Sequence, residues 1–128
     1  MTCTIQYDPG SGVVKATYLG GEDFVSLSSS VEETVLALIN NHCTKLLCDL
    51  SKSTVRMSIV EMVQIEKSIH TALRSKSIHP ISIKRAVVRK DNDGNLENYK
   101  FFENSSVNNL QMVKVFSLCE DALDWLNS

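Results

Sequence analysis

Much of what marks a specialised protein is missing from this chain. No apolar run approaches the ~18 residues that a membrane span requires. The opening MTCTIQYDPG has neither a positive start nor an apolar stretch, so no export signal is expected and the cytoplasm is the expected compartment. Cys3, Cys43, Cys48 and Cys119 include no CxxC pair, and without export they read as free thiols that pack as small hydrophobes. His42, His70 and His79 have neither HxxxH nor HxH spacing, so no metal and no redox cofactor is expected. The glycines of Pro9-Gly10-Ser11-Gly12 are not followed by Gly-Lys-Ser/Thr, which excludes a phosphate loop, and no serine stands in a G-x-S-x-G elbow. Asp91-Asn92-Asp93-Gly94 fails as a calcium loop, because the first and last ligand positions would be Arg89 and Lys100.

What is present is ordinary for a folded domain. The 128 residues suit one domain spanning 1–128, with 43% apolar and 22% charged residues, which excludes disorder. The net charge of −2 argues against nucleic-acid binding. Its distribution is uneven: residues 45–90 hold ten Lys/Arg against three acids, between acidic flanks. Such a middle reads either as an anion-facing surface or as charges that pair on folding.

Periodicity supplies the elements. Thr4–Tyr7 and Val13–Leu19 are strand-like and flank the turn Asp8-Pro9-Gly10-Ser11-Gly12, which predicts a β-hairpin. Phe24, Leu27, Val31, Val35 and Leu38 form one helical stripe; Ser30 with Glu33 has capping-box spacing, so that helix starts either near 24 or near 31. Lys45–Leu50 is a continuous apolar strand, and residues 51–57 read as a loop. Ser58 and Glu61 form a capping box for a second helix, with Met62, Ile65, Ile69, Ala72 and Leu73 inward and Glu66, Lys67, His70 and Arg74 off that stripe. His79-Pro80 is expected to end it. Ile83–Arg89 is the next strand, 91–95 its turn, Tyr99–Glu103 a short helix and Gln111–Phe116 the last strand. Ser117 and Glu120 are expected to open a final helix with Leu118, Ala122, Trp125 and Leu126 on one face. The order ββαβαβαβα predicts an α/β fold with a mostly parallel mixed sheet and an N-terminal β-hairpin.

Several segments carry a family likeness. The ending Val113-Lys114-Val115-Phe116-Ser117-Leu118-Cys119-Glu120-Asp121-Ala122-Leu123-Asp124-Trp125-Leu126, the strand Leu46-Leu47-Cys48-Asp49-Leu50, and Lys84-Arg85-Ala86-Val87-Val88 followed by Phe101-Phe102-Glu103 resemble small STAS-like proteins, relatives of the sporulation anti-sigma factor antagonist. The resemblance implies a sheet wrapped by helices, shared more remotely with lipid-carrying CRAL-TRIO domains. It also implies a phosphorylated serine opening the second helix, within an Asp-Ser-Ser/Thr-Gly type motif. Ser58 matches that serine, but Met57 replaces the acid and Ile59 and Val60 replace the small residues that follow. Ser58 is therefore expected to act as a helix N-cap.

The candidate ligand or partner surface follows from the strand order. Asp49 falls at the carboxyl end of a parallel strand, where open α/β sheets place their crevices. Ser51, Lys52, Arg56, Met57 and Ser58 follow it, offering hydroxyls, two cations and an adaptable thioether near a helix start. The alternative is a loop that Asp49 ties to backbone N–H groups. The leading expectation is a non-enzymatic regulatory or protein-interaction module of the STAS-like class, with a protein partner or a homodimer. The alternative is a carrier for a small apolar or anionic, lipid-like ligand held between helices and sheet. A hydrolase without a recognisable motif ranks third.

Overall fold

The computed structural model describes residues 2–20, 24–53, 58–89, 97, 99, 100, 103 and 112–128. In chain order they form β1 (Thr2–Asp8), β2 (Val13–Gly20), α1 (Phe24–Ser29), α2 (Val31–Asn40), β3 (Lys45–Ser53), α3 (Ile59–Ser75), a 3-10 turn (Pro80–Ser82), β4 (Lys84–Val88), β5 (Met112–Phe116) and α4 (Cys119–Leu126). Tyr99, Lys100 and Glu103 are helical, where the short helix was expected, and so is Glu97 before it; Phe101, Phe102 and the turn at 91–95 lie outside the described residues. The sheet order is β1-β2-β3-β4-β5, with β1 antiparallel to β2 and every other pair parallel. This is the mostly parallel mixed sheet with an N-terminal hairpin that the periodicity predicts. Among the described residues, no helix is long and apolar enough to cross a membrane.

The hairpin turn is built by one carboxylate and one glycine. Asp8 Oδ1 accepts from the Gly10 N–H at 3.1 Å and Oδ2 from the Ser11 hydroxyl at 2.8 Å. The Ser11 bond, then the Gly10 bond, hold the Asp8 carboxyl below its ordinary range. Gly12 takes φ +68°, a left-handed conformation that glycine adopts without steric cost, and its N–H returns to the Asp8 carbonyl.

Two layers pack on the sheet. Leu27 of α1, Val31, Val35 and Leu38 of α2, and Met62, Ala72 and Leu73 of α3 bury against one face, on Val14, Ala16, Tyr18, Leu46, Leu50 and Val87. The other face, through Val13, Leu47, Ala86 and Val88, meets α4 at Ala122 and Leu126 among the described residues. Each strand therefore sorts its residues by parity, as the period of two requires. At the open edge of β5, Glu103 Oε2 accepts the Val115 N–H at 2.7 Å, so one donor of that edge is covered.

Four expectations need correction. The helical stripe from residue 24 is broken at Ser30 into α1 and α2, and Ser30 makes no side-chain cap bond. Its hydroxyl instead donates to the Leu27 carbonyl at 2.7 Å and meets the Tyr18 hydroxyl at 2.6 Å, drawn inward by a strand residue. The β3 strand runs on to Ser53 rather than ending at Leu50. Thr17 pairs with Asp49 but Leu19 with Lys52, so β3 carries one extra residue, a bulge that lets pairing with β2 resume. Glu66 does not lie off the inner stripe of α3; it is buried and pairs with buried Arg85 of β4. Finally, α4 starts at Cys119 with Leu118 at the N-cap and no side-chain cap bond, and Leu118 is exposed rather than sharing the face of Ala122 and Leu126.

Candidate functional site

The carboxyl ends of β2 and β3 and the start of α3 form one edge of the molecule. Asp49 and Ser51 are brought together there: Asp49 Oδ1 accepts from the Ser51 N–H at 2.9 Å and the Ser51 hydroxyl at 2.6 Å. A carboxylate bonded to the residue two places on is an Asx-type turn, and here it braces the β3 bulge. Its other oxygen accepts from Cys119 Sγ at 3.5 Å, at the start of α4. Partial burial, then the Asp49 charge, raise the Cys119 thiol above its ordinary value, so it stays protonated and donating. Asp49 thus ties backbone, the reading set beside the ligand role. Lys52 is exposed and stands level with Leu19 on β2. Arg56 and Met57 lie outside the described residues.

Ser58 is exposed and caps α3. The Glu61 N–H donates to Ser58 Oγ at 3.2 Å, and the Ser58 N–H donates to Glu61 Oε1 at 3.0 Å, a reciprocal capping box. The first turn beyond it is unusual for what it shows to water. Ile59 is exposed, and Val60 is 65% exposed although it is β-branched and apolar. Val25 in α1 is 71% exposed, and Leu19 at the end of β2 is exposed as well. The same helix that buries Met62 and Leu73 therefore opens on an apolar step that its own core does not use.

A second group lies inside, between the sheet and α1–α3. A cavity of about 90 Å³ is walled by apolar side chains such as Leu27, Val35, Leu46 and Ile69, together with Tyr18, Ser30, Cys48, Glu66 and Arg85. Glu66 Oε1 accepts from Arg85 Nη2, and both side chains are almost wholly buried. Glu66 Oε2 is buried with no hydrogen-bond partner among the described residues. Desolvation pushes the Cys48 thiol up to about 11 and the Tyr18 phenol up as well, so both stay protonated in the fold. Sequence reasoning missed this group. The signal was nonetheless present: Glu66 falls four residues after Met62 and three before Ile69, on the stripe itself. Arg85 stands two residues before buried Val87, facing the same side of β4.

The four cysteines are free. No group of three or more His, Cys, Asp or Glu side chains among the described residues could hold a metal ion.

No protein-family model and no curated protein matches the sequence. Solved structures do match its fold. An uncharacterised protein of the DUF3478 family from Shewanella loihica PV-4, described as having a SpoIIAA-like fold, superposes with a TM-score of 0.60 at 14% identity, over 98% of this chain and 92% of that one. The anti-sigma factor antagonist SpoIIAA in its unphosphorylated form gives 0.56 at 9% identity, covering 97% and 96%. The Bacillus cell fate determinant SpoIIAA in its phosphorylated form gives 0.52 at 13%, covering 97% and 98%. At such identities the likeness is one of fold, and the fold is STAS-like.

Proposed function

We propose that this SpoIIAA-like fold serves as a non-enzymatic protein-interaction module, regulatory in type, whose partner surface is the edge where β3 ends and α3 begins. The observation that carries the reading is the exposed Ile59-Val60 step directly after the Ser58 cap. Burying a valine or isoleucine side chain contributes roughly 1.5–3 kcal/mol, so a partner that covers this step gains what the monomer leaves unused. Exposed Leu19 and Lys52 at the neighbouring strand ends give the step a mixed apolar and cationic surround. The solved SpoIIAA structures add support by fold alone, since one is described as an anti-sigma factor antagonist.

Ser58 enters this reading as a cap rather than as a phosphate acceptor. Its oxygen is already engaged by the Glu61 N–H, and the acid and small residues of the antagonist motif are absent around it. The test is affinity capture from the source cell, with wild type, Val60→Glu and a distant Glu32→Gln control compared by quantitative mass spectrometry. At least one protein, or a second copy of the chain, should be retained by wild type and the control and lost with Val60→Glu. An identical set on all three would contradict the proposal.

A second reading, a carrier for a small ligand, is supported by a separate observation: the largely apolar cavity under α1–α3 with a few polar groups on its wall.

A further inference from the structure

Glu66 Oε2 is buried with no hydrogen-bond partner among the described residues, and neither hydroxyl of the Tyr18–Ser30 pair in the same wall gives it a hydrogen. The Ser30 hydroxyl donates to the Leu27 carbonyl, which leaves Tyr18 as donor to Ser30 Oγ. Arg85 Nη2 is given to Oε1. A buried carboxylate oxygen left unpaired costs more than almost any other polar vacancy in a protein interior. Native structures keep few such groups, and each calls for an explanation such as an unfilled site.

We propose that this cavity binds a small, neutral, largely apolar molecule carrying one hydroxyl or N–H donor, which Glu66 Oε2 accepts. The inference rests on the carrier reading above and names its ligand class. The neutral character follows from the pair already in place. A cationic head would face the Arg85 guanidinium, and an anionic head would face Glu66 itself, in surroundings where either charge is poorly solvated. The apolar body follows from Leu27, Val35, Leu46 and Ile69 on the wall. The size follows from the volume: about 90 Å³, against the ~150 Å³ of an engineered apolar cavity that holds benzene. A five-membered ring fits that scale. A single water is a poorer occupant, because the space of about 90 Å³ is walled mostly by apolar side chains and exceeds the ~30 Å³ share of one water in the liquid.

Pyrrole and furan test this directly, since they share ring size and differ in one N–H. The full chain, labelled at its Leu, Val and Ile methyl groups, is titrated with each and followed by NMR. Pyrrole should shift the methyls of Leu27, Val35 and Leu46 and bind about tenfold or more tighter than furan, the margin of one hydrogen bond to a charged acceptor. In the double variant Glu66→Leu/Arg85→Met, both charges leave together, an exchange that buried pairs commonly tolerate. There the preference for pyrrole should vanish while furan still binds. Equal affinity in wild type would overturn the role of Glu66 and leave the carrier reading standing. Failure of both probes to reach these methyls would overturn the carrier reading with it. A preference that survives in the double variant would place the acceptor elsewhere and overturn the assignment. The wild-type comparison decides the matter even if the double variant does not fold.

Discussion

The two faces of the sheet are built on different terms. Toward α4 the contact is apolar: Val13, Leu47, Ala86 and Val88 meet Ala122 and Leu126, and polar groups stand at the rim. At one end Asp49 accepts from Cys119; at the other, Lys84 reaches the Trp125 carbonyl and Lys45 reaches Asn127, placing cations at the negative end of the helix. Toward α1–α3 the interior contains polar chemistry. Four of the buried polar or charged residues among those described, Ser30, Thr34, Glu66 and Arg85, line its cavity. Interiors optimised for stability alone favour full apolar packing, because a buried pair rarely outperforms a well-packed apolar substitute. The α4 face fits that rule and the α3 face departs from it. Departures of this kind concentrate where a protein does something other than stay folded.

Breaking the buried pair on one side only should have the largest effect. Glu66→Ala removes the carboxylate that faces the buried Arg85 charge, which should cost about 3–5 kcal/mol in chemical denaturation. Glu66→Leu/Arg85→Met should restore most of that loss. If the single and double variants are equally destabilised, the α3 face is held by packing like its counterpart, and the contrast fails. On the α4 face, Leu126→Ala should cost about 2–5 kcal/mol, a pure packing loss. Trp125 is only partly buried: its ring lies 5.8 Å from Phe116 and 4.5 Å from Lys84 Nζ. Trp125→Ala should therefore cost about 2 kcal/mol, below the range of a core tryptophan. A larger loss at Trp125 than at Leu126 would reverse the assignment of that helix's inner side.

The buried thiol of the α3 face should also make stability depend on pH. Cys48, on the α3 side, keeps its proton in the fold up to about 11, whereas its ordinary value is 9.0. Between those values the unfolded chain releases a proton that the folded chain retains, so stability falls as pH rises through that window. Burial raises Tyr18 in the same sense and extends the decline to higher pH. Denaturation midpoints measured from pH 8 upward should drop, and Cys48→Ala should flatten the first part of the drop. An unchanged slope in Cys48→Ala would show that the thiol is not the group responsible.

The smallest stability effect belongs to the edge. Ser58→Ala should cost about 0.5–2 kcal/mol, the range for a lost N-cap. Ser58→Asp should lose little, since aspartate caps well and its charge suits a helix start.

How far the sequence reveals this arrangement depends on the range of the interactions involved. The Asp8–Gly12 turn and the Ser58–Glu61 box are readable because their partners lie within a few residues of one another. The mostly parallel pairing follows from the alternation of strands with helices, whereas the spatial order β1-β2-β3-β4-β5 is visible only in the folded sheet. Ser30 carries the same local capping signal as Ser58, yet it was claimed by Tyr18, twelve residues upstream and across the layer. Glu66 and Arg85 look like surface charges until their elements pack, since their sequence separation of nineteen hides the pairing. The length of β3 depended on a bulge whose brace, Asp49 to Ser51, is visible only once β2 lies alongside. Of the candidate residues, Asp49, Ser51 and Ser58 proved to be held in local hydrogen bonds, while Lys52 stands exposed. The exposed Val60 was not singled out, because an apolar residue in a first helical turn reads as core from spacing alone.

The central claim, that partners are recognised by the apolar step of α3 while Ser58 only caps the helix, is tested most directly by one ranking. The retained partner's affinity is measured for wild type, Ser58→Ala, Ser58→Asp and Val60→Glu, each first checked for folding by circular dichroism. The account predicts that both Ser58 variants bind within about twofold of wild type, because a cap contributes to helix stability and not to the contact. Val60→Glu should lose tenfold or more, about 1.4 kcal/mol or greater. A partner that binds Ser58→Ala and Val60→Glu normally but rejects Ser58→Asp would contradict the account and establish a charge switch at the helix start.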